Sequence, residues 1–149
     1  MPELDFYPKP PQDTGLGIHW SASIYHHTPL ADWDRWRDEL LAMGIKWVKV
    51  LDDGGGSSLE LCQKLLETGI MPVVRLYRPE PNPGHIGGRE ENTIRRLVEI
   101  GVKYFQTNNE PNLPDEWQGR SKPGNYPKKV AEHWLIDAQR VLALGGLPI

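Results

Sequence analysis

The residue best placed to do chemistry in this chain is Glu110. It closes the run Tyr104-Phe105-Gln106-Thr107-Asn108-Asn109-Glu110-Pro111, which opens with apolar residues suited to a buried strand, turns polar, and meets a proline that cannot extend a sheet ladder. The expectation is that Glu110 projects from the carboxyl end of a strand. In barrels and open sheets of parallel strands that end collects reactive groups, because the strand fixes the backbone while the next loop shapes a pocket. A carboxylate there can give or take a proton if its surroundings set its protonation. His19 and Tyr77 fall at the ends of two upstream apolar segments and could contact a ligand's hydroxyls, or simply be packed or solvated strand ends. Trp117, in the long loop after Glu110, could stack on a ring or lid the core.

Other candidates read as architecture. Cys62 lies at helical spacing in Leu59-Glu60-Leu61-Cys62, as a small packed residue, and a lone cysteine forms no internal disulfide. His26-His27 and Asp52-Asp53 are adjacent pairs whose side chains point apart, with no third ligand at helical spacing, so solvated loops are expected and no metal. No cofactor is expected either. Glu80, inside Arg78-Pro79-Glu80-Pro81, reads as a surface loop charge.

The elements that must position these residues repeat. Residues 1–14 are proline-rich and aperiodic, an amino-terminal arm; 15–149 form one domain. Gly15-Leu16-Gly17-Ile18-His19-Trp20 reads as a strand, and the segment from Ala31 to Met43 as a helix with Trp33, Trp36, Leu40 and Met43 on its apolar stripe. Ile45 to Leu51 reads as a strand, a helix capped by Ser57 or Ser58 runs to Gly69, and Ile70 to Tyr77 is a third strand. A helix from about Glu90 to Ile100 precedes the strand from Val102 to Glu110, and a last helix spans roughly Tyr126 to Leu144. Each helix ends in glycine followed by an apolar residue: Gly44-Ile45, Gly69-Ile70, Gly101-Val102, Gly146-Leu147. That is a left-handed stop feeding a strand, although after Gly146 the residues run out where a fifth strand should begin.

Four strand–helix units in series demand parallel strands with right-handed crossovers. The choice is between a small doubly wound sheet and part of a (β/α)₈ barrel, which normally takes about 250 residues. Alternation sorts the side chains. Val48, Val50, Val74, Leu76, Phe105 and Thr107 share one face; His19, Trp47, Lys49, Arg75, Tyr77, Gln106, Asn108 and Glu110 share the other. A doubly wound sheet would be apolar on both faces, so the polar second face favours a barrel wall with helices outside.

With 149 residues, 38% hydrophobic and 25% charged residues and a net charge of -3, the chain has the composition of one globular domain. The charge is wrong for a nucleic-acid partner, and no apolar run approaches the roughly 20 residues of a membrane span. The acidic start, Met1-Pro2-Glu3, has no signal-peptide core, so a soluble protein, cytoplasmic rather than secreted, is expected.

At Asn109-Glu110-Pro111, on the fourth parallel strand, the chain resembles the amino-terminal half of the (β/α)₈ glycoside hydrolases whose catalytic carboxylates stand at the ends of strands four and seven. The resemblance extends from Gly15 to Ile149. It implies that Glu110 is the general acid/base and Asn109 hydrogen-bonds the sugar 2-hydroxyl. Asn108, His19, Arg75 and Tyr77, by their place on the same face, and Trp117, in the loop after Glu110, are the further candidates for sugar contact. It also implies a strand-seven nucleophile about 5–5.5 Å away in a retaining enzyme, which these residues do not include. With Lys49 and Arg75 on its face, Glu110 is expected to occupy the acid/base position without acting as a competent acid, so that the chain alone is inactive or very weak. A non-catalytic carbohydrate-binding or purely structural half-barrel is the alternative. An open four-stranded sheet leaves edges at strands one and four, which a second copy could pair to close the barrel as a homodimer.

Overall fold

The computed structural model describes residues 7–20, 30 and 32–149. His26 and His27 lie outside the described residues. Strand β1 (Gly17–His19) is followed by α1 (Trp33–Ala42), β2 (Trp47–Asp52), α2 (Leu59–Glu67), β3 (Met71–Leu76), α3 (Gly88–Glu99), β4 (Tyr104–Gln106), α4 (Tyr126–Ala143) and β5 (Leu147–Pro148). The strands form one parallel sheet in the order β1-β2-β3-β4-β5. A doubly wound sheet reverses its direction of growth midway, and this one does not. With right-handed crossovers and no reversal, successive helices fall on the same side.

The core lies on that side. Val48 and Val50 of β2, Val74 and Leu76 of β3 and Phe105 of β4 join Trp33, Leu61, Leu65, Ile94, Leu97 and Val141 from the four helices in a single buried cluster. Alternation along the strands places these residues together, and burying each such side chain contributes about 1.5–3 kcal/mol. Cys62 is wholly buried in the cluster, and burial pushes its thiol up to about 12.

The glycine stops operate through one bond pattern. Gly44, Gly69 and Gly101 adopt φ of +70°, +74° and +107°, and the following N–H groups of Ile45, Ile70 and Val102 bond the carbonyls of Leu40, Leu65 and Leu97 at 3.0, 2.9 and 3.0 Å. At the last helix the left-handed residue is Gly145 (φ +85°), one position earlier than expected. Gly146 is there for room: a Cβ on it would stand 2.7 Å from the Phe105 ring.

Three expectations are corrected. A fifth strand does form, because Leu147 N–H bonds Lys103 O at 2.7 Å and Ile149 N–H bonds Phe105 O at 3.0 Å, so the edges of the sheet are β1 and β5 and the β4 edge is taken. β4 stops at Gln106 and does not run on to Glu110. The Gln106 side chain donates to Asn108 O at 2.6 Å and Asn108 Oδ1 accepts from Asn109 N–H at 2.7 Å, local bonds that compete with a ladder. In α1 only Trp33 and Leu40 of the expected stripe are buried, while Trp36 and Met43 are 45% and 63% exposed. At 3.6 residues per turn these two lie about 60–80° around the helix from the Trp33–Leu40 line.

Among the described residues no helix lies on the other face of the sheet. At the amino-terminal ends of its strands it is covered by the first described residues: Tyr104 Oη donates to Pro8 O at 2.9 Å and Trp47 Nε1 to Asp13 Oδ1 at 2.8 Å. Trp47 and Tyr104 meet edge to face, centroids 5.6 Å apart. The Gly15 N–H and the Trp47 indole hold the Asp13 carboxyl below its ordinary range. Among the described residues no helix is long and apolar enough to cross a membrane.

Candidate functional site

At the carboxyl ends of the strands the uncovered face stays polar. His19 stands opposite Lys49 on neighbouring strands, and Arg75 opposite Gln106. Lys49 and Arg75 are half-buried, and burial is the main cause lowering the proton affinity of each. Lys49 is lowered further by the charge of Arg75 and raised by that of Glu110; for Arg75 the carboxylates of Glu116 and Glu110 oppose burial. Burial, then Lys49 and Arg75, likewise lower His19. These groups therefore face one space. Arg75 Nε is sealed from solvent and has no hydrogen-bond partner among the described residues.

Glu110 reaches this space from a loop, since Thr107, Asn108 and Asn109 separate it from the end of β4. It is exposed, with φ +31°, the left-handed region that few side chains adopt. Pro111 follows, and the Leu113 N–H returns to Glu110 O at 2.8 Å to close a turn. The turn continues into a short 3₁₀ helix, Pro114–Glu116. Proline at its start has the fixed φ that a helical first turn needs.

What holds this loop is Asn82, from the segment after β3. It is fully buried. Its backbone N–H and side-chain Nδ2 both bond Glu116 O, at 3.1 and 3.0 Å, and its carbonyl accepts from Gln118 N–H at 2.7 Å. Its amide also pairs reciprocally with that of Asn108, at 3.0 and 3.3 Å. Asn109, next in sequence, is held differently. Its Nδ2 donates to Glu110 Oε2 at 3.0 Å and to Glu116 Oε1 at 2.8 Å. Glu116 is thus a second carboxylate beside Glu110, and the sequence reading missed it. The only local signal was Pro114-Asp115-Glu116 as a helical turn; the long-range bonds from Asn82 bring it back.

Of the predicted residues, Glu110, Asn109, Lys49, Arg75 and His19 are gathered at this end of the face, and half-buried Tyr77 lies within the field of Arg75 while its N–H bonds Asp52 O at 2.8 Å. Two are corrected. Asn108 has its amide engaged by Asn82 and Asn109, which makes it a structural link between loops. Trp117 is only 2% exposed, with its indole N–H on Pro111 O at 2.9 Å, so it packs beneath the loop and offers no open ring for stacking. Glu80 is an exposed loop residue whose carboxylate accepts from Gly119 N–H at 3.3 Å.

Asp52 also departs from expectation. It is no solvated loop residue: fully buried, it accepts from the N–H groups of Gly54, Gly56 and Ser58 at 2.7, 3.1 and 2.9 Å and from Ser58 Oγ at 2.6 Å. The serine expected to cap α2 instead gives its hydroxyl to Asp52. A second buried ionic cluster ties the segment after β3 to α4. Arg78 donates to Thr107 O at 2.6 Å and to Asp137 at 3.1 Å, while Asp137 also accepts from Ile86 N–H at 3.0 Å. His85 and His133 stack beside it with centroids 4.7 Å apart. Burial and the neighbouring His85 lower His133, against the opposing pull of Asp137 and Glu132.

Among the described residues no group of three or more His, Cys, Asp or Glu side chains is arranged to hold a metal ion. Set beside known proteins, the chain matches no family model, no curated protein and no solved structure.

Proposed function

We propose that this chain is part of the wall of a (β/α)₈ barrel of glycoside hydrolase type, with a carbohydrate site at the carboxyl ends of its strands and Glu110 in the acid/base position. The supporting observation is the common field of Glu110, Lys49 and Arg75 on the helix-free face, with Asn109 bonded directly to Glu110. Hydroxyl-rich ligands suit such a place, because carboxylate, amide and cationic groups on one face offer both acceptors and donors.

Binding without turnover is the stronger form of this reading. A retaining pair needs its carboxylates about 5–5.5 Å apart on either side of the glycosidic bond. The carboxylate found beside Glu110 is Glu116, and the Asn109 amide nitrogen bonds both, so that amide occupies the space between them where a glycosidic bond would have to lie. Among the described residues, Glu110 and Glu116 are the carboxylates whose charges act on Lys49 or Arg75. The rest of the wall has to come from outside these residues; a second copy would have to meet β1 and β5 rather than β4. A dimeric mass in sedimentation supports closure by a second copy, and a monomeric mass removes it.

The direct test is a panel of gluco-, xylo-, manno- and galacto-oligosaccharides in calorimetric titration, alongside nitrophenyl glycosides as substrates. Binding that is lost in Glu110→Gln, with little or no hydrolysis, is the expected result. Robust hydrolysis abolished by Glu110→Gln would move the assignment to a working glycosidase, and no binding to any member of the panel would end the carbohydrate reading.

A further inference from the structure

We infer that Glu116 is a positioning residue that sets the polarity of the site by locking the Asn109 amide with its carbonyl outward. An amide NH₂ has two hydrogens. Both are committed, one to Glu110 Oε2 at 3.0 Å and one to Glu116 Oε1 at 2.8 Å. Bonds to ionised acceptors are roughly twice as strong as neutral ones. The flipped amide would set its carbonyl lone pairs against two carboxylates, so the orientation is decided by charge as well as by hydrogen bonding. Asn109 Oδ1 is then the atom left over for a ligand, and it accepts no bond from the described residues. The site therefore selects a hydrogen-bond donor at this point, as a hydroxyl is, and disfavours a group that can only accept.

Glu116 is itself held by parts remote from the site. Its carbonyl receives the backbone and side-chain donors of Asn82, which is fully buried, and the neighbouring Trp117 is packed beneath the loop. These bonds are made to its backbone carbonyl, so variants at this position are expected to keep the loop and alter only the carboxylate. Asn108 provides an internal contrast, since its amide is turned by Asn82 and bonds no carboxylate.

The inference rests on the carbohydrate reading only for the identity of the ligand, and its test separates the two. The side-chain amide signals of Asn109, assigned by nitrogen-15 correlation spectra, report the lock with no ligand present. In the native chain both Nδ2 protons of Asn109 are expected downfield of a free amide. Glu116→Ala should return one of the two protons toward the free position, and Glu116→Gln, which keeps an acceptor oxygen, should restore it. For any oligosaccharide of the panel that binds, Glu116→Ala should weaken affinity about tenfold and Glu116→Gln less than about threefold. Asn109 protons unchanged by Glu116→Ala would overturn the inference, as would sugar affinity equal in Glu116→Ala and native chain. A locked amide with no sugar bound would leave the positioning role standing and remove the carbohydrate reading instead.

Discussion

Two carboxylates stand at the carboxyl ends of parallel strands, Asp52 as the last residue of β2 and Glu110 in the loop beyond β4, and they have opposite fates. Asp52 is fully buried and accepts four hydrogen bonds from the loop that leads into α2. Glu110 is exposed, accepts one bond from Asn109, and faces two cations with which it forms no close ion pair. A carboxylate whose oxygens are already satisfied holds a turn together and has nothing left for a ligand. One with open acceptor positions beside unpaired cations is available for chemistry. Position at a strand end thus nominates a residue, and the state of its hydrogen bonds decides its role.

The largest effect should come from the satisfied carboxylate. Asp52→Ala would leave the buried N–H groups of Gly54 and Ser58, the part-buried N–H of Gly56 and the buried Ser58 hydroxyl without their acceptor, and should lower unfolding free energy by about 3–5 kcal/mol in urea titration. A loss under about 1 kcal/mol would mean the loop re-satisfies itself and the contrast with Glu110 is false. Asp137→Ala comes next, at about 3 kcal/mol, because Arg78 would remain buried with one carbonyl as its partner. Glu110→Gln should stay within about 0.5 kcal/mol of the native chain, since the side chain is exposed and gives up little packing. If it proved as costly as Asp52→Ala, Glu110 would belong with the architecture.

The smallest effect is pH-dependent. His133 and His19 are both held below the ordinary value of 6.5, His133 by burial and His85, His19 by burial and the charges of Lys49 and Arg75. The folded chain therefore binds fewer protons at these sites than the unfolded one, so their contribution is complete above 6.5 and is lost as pH falls through the folded value. Urea midpoints taken from about pH 7.5 down to about pH 5 should fall, less steeply in His133→Gln. A midpoint that rose on acidification would contradict the sign.

The strand–helix alternation was legible in the sequence because it is written in local chemistry: glycine then an apolar residue at each helix end, and period-two alternation in β2 and β3. β5 was not, since a two-residue strand has no periodicity and forms only because the β4 edge is there to receive it. Within the site, Glu110 and Asn109 were visible for the same local reason. Which of the two neighbouring asparagines bonds the carboxylates was not, because Asn82, the partner that engages Asn108, lies far along the chain. Glu116 escaped for that reason too. Trp117 was read as either lid or platform, and only its burial distinguishes them.

The proposed sugar site on the helix-free face around Glu110 is tested most directly by backbone amide mapping during oligosaccharide titration. Shifts concentrated on Lys49, Arg75, Asn109, Glu110 and Glu116, absent from Glu110→Gln, are the predicted result. Shifts confined to the helices on the opposite side, or none at millimolar sugar, would contradict it.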